Sequence, residues 1–263
     1  MPTTSRPDTA RGPAIDLRDV SVHYRLPLER VRTFKEYAIQ WLRGHQVSEE
    51  LHALSHVTLH VRRGETVGVM GRNGAGKSTL LKVIARVLEP TAGSVSVTGM
   101  VAPLLELGAG FDGELTGREN VFLNGAIMRR TRKEMQRRLP DIVAFAELEQ
   151  FIDAPLRTYS TGMAARLGFA LATDVEPEIL LIDEVLAVGD MEFQERCVAR
   201  IRTFLESGAT LVLVSHSPQQ VAQLCQRAVW LDAGRVVADG RAADVAEAFL
   251  EHATHGHLSS ATG

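Results

Sequence analysis

An α/β fold with a parallel sheet is what this sequence predicts, and three observations predict it. Short apolar runs at Thr66–Met70, Ile179–Ile182 and Thr210–Val214 have the continuity of strands buried on both faces. Apolar residues at helical spacing lie between them, as in Leu80–Ile84 and Ala164–Ala172. The first run ends on the glycine-rich stretch Gly71-Arg72-Asn73-Gly74-Ala75-Gly76-Lys77-Ser78-Thr79, which opens a helix.

That stretch has the pattern G-x-x-x-x-G-K-[ST], with a strand before it and a helix after it, as a phosphate-binding loop requires. Its glycines let backbone N–H groups close around phosphate oxygens, with the positive end of a helix behind them. Lys77 adds a point charge for the β- and γ-phosphates, and the Ser78 hydroxyl can ligate Mg²⁺. The alternative is a strand-to-helix turn with an incidental lysine. Strand, loop, Lys-Ser pair and helix together argue against it.

The 263 residues fit one large domain or two small ones by the rough guide of about 150 residues each, and the 45% apolar content supplies a full core. A net charge of −3 argues against a general polyanion binder. Two cysteines are too few for a disulfide framework, so Cys197 and Cys225 read as reduced thiols of a cytoplasmic protein. No apolar run approaches the roughly 20 residues needed to span a bilayer, which leaves a peripheral membrane role open.

In chain order, residues 1–14 are rich in Pro, Thr and Gly and read as a disordered tail. A strand follows over Ile15–Tyr24, and Tyr24 at its exit could stack on an adenine ring or be an ordinary edge-strand aromatic. Residues 28–44 carry Leu28, Val31, Phe34, Tyr37 and Trp41 at helical spacing among arginines and lysine. Such a basic, aromatic helix suits a membrane surface, a partner's helix or its own domain. Leu51–Val61 alternates, with Ala53, Val57, Leu59 and Val61 on the inner face and His52, His56 and His60 outside. On a strand, i and i+4 lie about 13 Å apart, too far for two histidines to share a metal ion.

Val101–Leu107 reads as a strand, and Arg118–Leu148 as a helical insertion. The basic run Arg129–Lys133 with Arg137 and Arg138 has no interleaved aromatics, so it reads as a solvated helix face rather than a nucleic-acid site. Tyr159-Ser160-Thr161-Gly162-Met163 precedes a strong helix and offers a hydroxyl and free N–H groups, a second anion site. Asp183 and Glu184 sit at the carboxyl end of the second buried strand, where ligands of parallel sheets bind. Asp183 can hold Mg²⁺ and Glu184 can orient and deprotonate a water. The third strand delivers His216, which could sense or polarise the γ-phosphate. A hairpin over Ala228–Ala238 and a helix near Ala243–Leu250 complete the ordered part, and 251–263 reads as a flexible tail.

With these segments in this order, the chain resembles the nucleotide-binding subunits of ATP-binding-cassette (ABC) transporters. It is most similar to ATPases that export O-antigen, capsular polysaccharide or teichoic acid. The resemblance covers roughly 15–250 and rests on Leu104–Phe111, Leu115–Asn120, Tyr159–Met163 and Asp183–Asp190. It implies a P-loop NTPase core with an antiparallel β subdomain, a helical subdomain at about 110–172 and an amphipathic insertion at 25–50. It implies too that two copies form a head-to-tail homodimer. There Ser160, Thr161, Gly162 and Met163 of one copy contact the γ-phosphate held by Lys77 of the other, and Asp190 lies in the loop coupling the two sites.

Two departures from the family pattern stand out. Thr161 and Met163 differ from the general signature Leu-Ser-Gly-Gly-Gln. No glutamine occurs between Gln46 and Gln136, so the usual Mg²⁺-sensing glutamine near Glu106 is missing. The implied function is ATP hydrolysis that drives a lipid-linked glycan through a separate transmembrane permease at the cytoplasmic face. The rivals are a cassette protein acting on nucleic acid or the ribosome, which usually carries two cassettes or a long coiled coil, and a P-loop kinase, against which the signature motif argues. Thirteen residues follow Leu250, too few for a β-sandwich glycan-binding module, so the expectation is that selectivity lies elsewhere.

Overall fold

The computed structural model describes residues 12–27, 48–105, 107–183 and 189–259. The expected helix at 28–44, Glu106 and Glu184 therefore lie outside the described residues. Along the chain the elements are β1 (Ile15–Pro27), β2 (Ser48–Val61), β3 (Thr66–Met70), α1 (Lys77–Ile84), β4 (Ala92–Val97), β5 (Val101–Leu104), α2 (Gly117–Ile127) and α3 (Arg132–Ala146). A 3₁₀ turn at Leu156–Thr158 leads to α4 (Thr161–Ala172), β6 (Ile179–Asp183), α5 (Met191–Glu206), β7 (Thr210–Val214), α6 (Pro218–Leu224), β8 (Arg227–Asp232), β9 (Arg235–Arg241) and α7 (Ala242–Ser259).

These form two compact units, the first from Met1–Val61, Gly68–Thr98 and His216–Gly263, the second from Arg62–Val67 and Gly99–Ser215. In the first, β1 is the middle strand of an antiparallel sheet with β2 and β4. Its inner face buries Ile15, Leu17, Val20 and Val22 with Leu54, Val57, Leu59 and Val61. Leu54, not the expected Ala53, points inward. The alternation slips because Asp19 and His56 take left-handed backbone angles (φ 54° and 55°), which shifts the register between Leu17/Val20 and Val20/Val22. His56 Nδ1 lies 2.8 Å from the Asp19 carboxylate, and the Ser21 hydroxyl accepts from the His56 N–H at 3.0 Å.

The insertion expected at 25–50 is strand at both ends, with Arg25 opposite Glu50 and Pro27 opposite Ser48. Order also begins earlier than Ile15: Ala14 is buried, donates to Val61 O and accepts from the Thr98 N–H. At the other end α7 runs through residues expected to be a flexible tail. Trp230 explains this, because its ring meets Phe249 at 5.5 Å and His252 at 5.0 Å and carries the packing past Leu250.

In the second unit β5, β6 and β7 are parallel neighbours, with Val101 opposite Ile179 and Ile179 opposite Thr210. Every residue of β7 is buried, as the continuous apolar run requires. The expected strand to Leu107 stops at Leu104. The helical insertion is two helices, each started by a capping box, Thr116 with Glu119 and Thr131 with Glu134. Val121, Met135, Leu139, Ile142, Leu167 and Leu171 bury their apolar faces together. Part of the basic run is not a solvated face. Arg130 (2.7 Å) and Arg138 (3.3 Å) converge on the carboxylate of Asp174, itself largely buried, and Arg132 lies 5.4 Å over the Phe122 ring.

Candidate nucleotide site and its signature segment

In the first unit the phosphate loop leaves β3 and turns into α1 through Gly76 (φ 101°), a left-handed residue at the helix N-cap. A Cβ there would stand 2.4 Å from the Ala53 carbonyl oxygen and 2.9 Å from Leu54, so only glycine brings the loop this close to β2. No side chain caps α1 and its first turn carries no acidic residue. A helix N-terminus without a capping side chain or a carboxylate of its own is suited to an anion. The Lys77 side chain is 7% exposed, and its ammonium donates to the carbonyl oxygens of Gly71 (2.9 Å) and Arg72 (3.1 Å). Those two bonds hold the cation inside the curl of the loop.

The loop rests on a part of the chain that sequence reading passed over as an ordinary hairpin. The Gly234 N–H donates to Ala75 O (3.1 Å), and the Gly234 carbonyl accepts from the Ser55 N–H (2.8 Å). Asp232 and Ala233 of this turn join Arg72, Asn73, Gly74 and Ala75 around a depression of about 640 Å³. The available signal was the Ala233-Gly234 pair between two strand patterns; the structure makes it a left-handed turn, with φ 45° at Ala233 and 76° at Gly234. Tyr24 is half-buried on β1 opposite Leu51, and His216 is exposed immediately after β7.

In the second unit Asp183 is the last, half-buried residue of β6. Its carboxylate is a hard oxygen donor, the kind of ligand that Mg²⁺ takes. Ser160 caps α4 by accepting from the Met163 N–H at 3.1 Å. Thr161 is exposed, and Met163 is partly buried against the core of the helical part. Gly162 is different in kind. A Cβ there would meet nothing nearer than the Ser160 hydroxyl at 3.8 Å, so no internal contact demands a glycine. Gly168, one helix face further on, is demanded by packing: a Cβ would stand 2.6 Å from the Gly108 nitrogen.

Asp190 caps α5 by accepting from the Phe193 N–H at 3.0 Å, and its other carboxylate oxygen receives Arg166 of α4 at 2.5 Å. The Phe193 N–H, followed by Arg166, holds its carboxyl below the usual range. No group of three or more His, Cys, Asp or Glu able to hold a metal occurs among the described residues, and none of their helices is long and apolar enough to cross a membrane.

Comparison with known proteins agrees with this arrangement. Residues 54–187 match the ABC transporter family. The O-antigen export system ATP-binding protein RfbB of Klebsiella pneumoniae is 47% identical over 214 residues, covering 81% of this chain and 85% of that protein. The protein of the same name from Myxococcus xanthus is 44% identical over 243 residues; the match takes in 90% of this chain but only 56% of that relative. Teichoic acids export ATP-binding protein TagH of Bacillus cereus is 42% identical over 194 residues, 74% of this chain and 35% of its own length. Among solved structures, an ATP-binding subunit of an ABC transporter superposes with a TM-score of 0.69 at 26% identity, covering 90% of this chain and 93% of that one. A dimeric bacterial ABC transporter cassette gives 0.68 at 25% identity, covering 87% and 98%. This chain, with its phosphate loop, its carboxylate-ended strand and its capped signature helix, belongs to the ABC transporter family.

Proposed function

We propose that this chain is the ATP-hydrolysing subunit of an exporter of lipid-linked polysaccharide of the O-antigen or teichoic acid type. It works at the cytoplasmic face of the membrane with a separate transmembrane permease and does not act on nucleic acid. The relatives named for O-antigen and teichoic acid export support the substrate class and the permease. The observation that carries the catalytic reading is Gly162. Glycine is a poorer helix former than alanine, by roughly 1 kcal/mol in a helix interior, and nothing among the described residues requires one there. The bare backbone suits close approach of a ligand from outside the subunit, the γ-phosphate of ATP held by a second copy.

In that arrangement the loop N–H groups and Lys77 hold the phosphates of one site, and the Ser160 hydroxyl and Gly162 N–H of the other copy close on the γ-phosphate. Ser78 and Asp183 would each offer an oxygen ligand to Mg²⁺, which would supply positive charge against the phosphates. Glu184 takes a proton from the attacking water, His216 contacts the γ-phosphate, and Tyr24 stacks on the adenine. In the second unit, Met100, Ile127 and Met128, all exposed, rim an apolar groove of about 490 Å³, where we place the permease.

Complementation tests the two-copy site. Lys77→Ala and Gly162→Asp should each be inactive alone, yet a mixture should regain turnover because a mixed dimer keeps one intact site. No recovery would rule out head-to-tail sharing. Glu184→Gln should bind ATP but turn it over on the order of 10²-fold more slowly. Co-purification with a polytopic membrane protein tests the transport reading.

A further inference from the structure

The structure assigns to Arg166 a positioning role: its guanidinium ties the signature helix to the start of α5, so that Ser160 and Gly162 are held in fixed relation to Asp190. Resting on the reading of the chain as an ATPase, this concerns three residues that lie far apart in sequence.

Arg166 sits two turns into α4 from Ser160, with its side chain only 18% exposed. Its Nη1 reaches Glu147 Oε2 at 2.5 Å and its Nη2 reaches Asp190 Oδ2 at 2.5 Å, so the two edges of one planar group are held by two carboxylates. Its face lies 5.0 Å over the ring of Phe193, which is fully buried. Glu147 is itself held. It ends α3 in a left-handed conformation (φ 57°), and its second oxygen meets Arg196 Nη2 at 2.6 Å. Arg196 in turn lies 5.2 Å over Phe193.

Asp190 divides its carboxylate between two tasks. One oxygen receives the Phe193 N–H and starts α5; the other receives Arg166. Moving α4 therefore pulls on the residue that fixes where α5 begins. The approach is close: a Cβ on Gly189 (φ 73°) would stand 3.1 Å from Arg166 Nε. A lysine at 166 has a single ammonium and cannot span both carboxylates in this geometry. The guanidinium touches no reacting atom; it sets where the groups that do so stand.

The experiment measures steady-state ATPase kinetics and thermal melting of the full chain, wild type against Arg166→Lys and Glu147→Gln. Arg130→Lys serves as control, because the Arg130 side chain is as sheltered as that of Arg166 and pairs with Asp174 (2.7 Å) in the same unit. Positioning predicts that Arg166→Lys lowers kcat at least about tenfold, keeps KM for ATP within about threefold and melts no lower than the control. Glu147→Gln should fall between it and wild type. Unchanged kcat in Arg166→Lys, or a loss matched by Arg130→Lys, overturns the inference and leaves the ATPase reading standing. A wild-type chain without ATP hydrolysis sinks both.

Discussion

The phosphate loop and the signature helix both present helix N-termini, and they are built by opposite means. At the loop the backbone is what is presented: α1 has no side-chain cap, glycine stands at its N-cap, and one buried cation is curled inside. At α4 a side chain, Ser160, caps the helix, and position is set by ion pairs from Arg166 to Glu147 and Asp190. The loop is fixed by sterics, since a Cβ on Gly76 would stand 2.4 Å from the Ala53 carbonyl oxygen, whereas the signature segment is held by charge. On the proposed two-copy site, the difference suits a fixed nucleotide cradle and a surface that meets and leaves a second copy.

Substitutions can break this contrast. Lys77→Ala should have the largest effect, lowering ATP affinity on the order of 10²-fold or more, because it removes the charge paired with phosphate; calorimetric titration with ATP would show it. Gly76→Ala should come next, since the new Cβ meets backbone that cannot yield and the residue is left-handed. Loss of both ATP affinity and melting temperature is expected, and an unchanged variant would remove sterics as the source of loop rigidity.

The two glycines of α4 sharpen the comparison within one helix. Gly168→Ala should destabilise by roughly 1–3 kcal/mol, the usual cost of overpacking, because its Cβ meets the Gly108 nitrogen. Gly162→Ala should leave stability equal or up to about 1 kcal/mol higher while lowering turnover. Equal losses of stability at both sites in denaturant melts would undo the claim that Gly162 is free of internal demand.

Acid should loosen the charged side first. The carboxyl groups of Asp190, Asp153, Glu119 and Glu134 are all depressed, the first by the Phe193 N–H, the second by Arg118, the others by their threonine caps. A depressed folded value means that their stabilisation is present above the ordinary carboxylate range and is lost as pH falls through the lower folded values. Melting temperature followed from pH 6 downward should therefore drop below about pH 4, and less steeply in Asp190→Asn. The smallest effect concerns the thiols. Burial pushes Cys197 and Cys225 up to about 12, so both should resist alkylation at pH 8 until the chain unfolds.

How much was legible follows from how far apart the cooperating residues are. The phosphate loop, the β6 carboxylate and the Ser160 cap are contiguous stretches whose chemistry is local, so residue order alone declared them. The bulged register of β1 and β2 was not legible, because alternation assumes an unbroken pleat and the left-handed Asp19 and His56 break it, putting Leu54 inside in place of Ala53. Nor was the pairing of Arg130 with Asp174, 44 residues away.

By itself, then, the sequence determined the element types, the phosphate-binding chemistry and the family, since these rest on periodicity and short motifs. Only the tertiary structure decided that the Asp232–Gly234 turn supports the loop, that α7 runs on past Leu250, and that Arg166 bridges residues 19 and 24 positions away. Each of these depends on which surfaces meet after folding. A charged residue's partner is chosen by packing, and no local pattern encodes that choice.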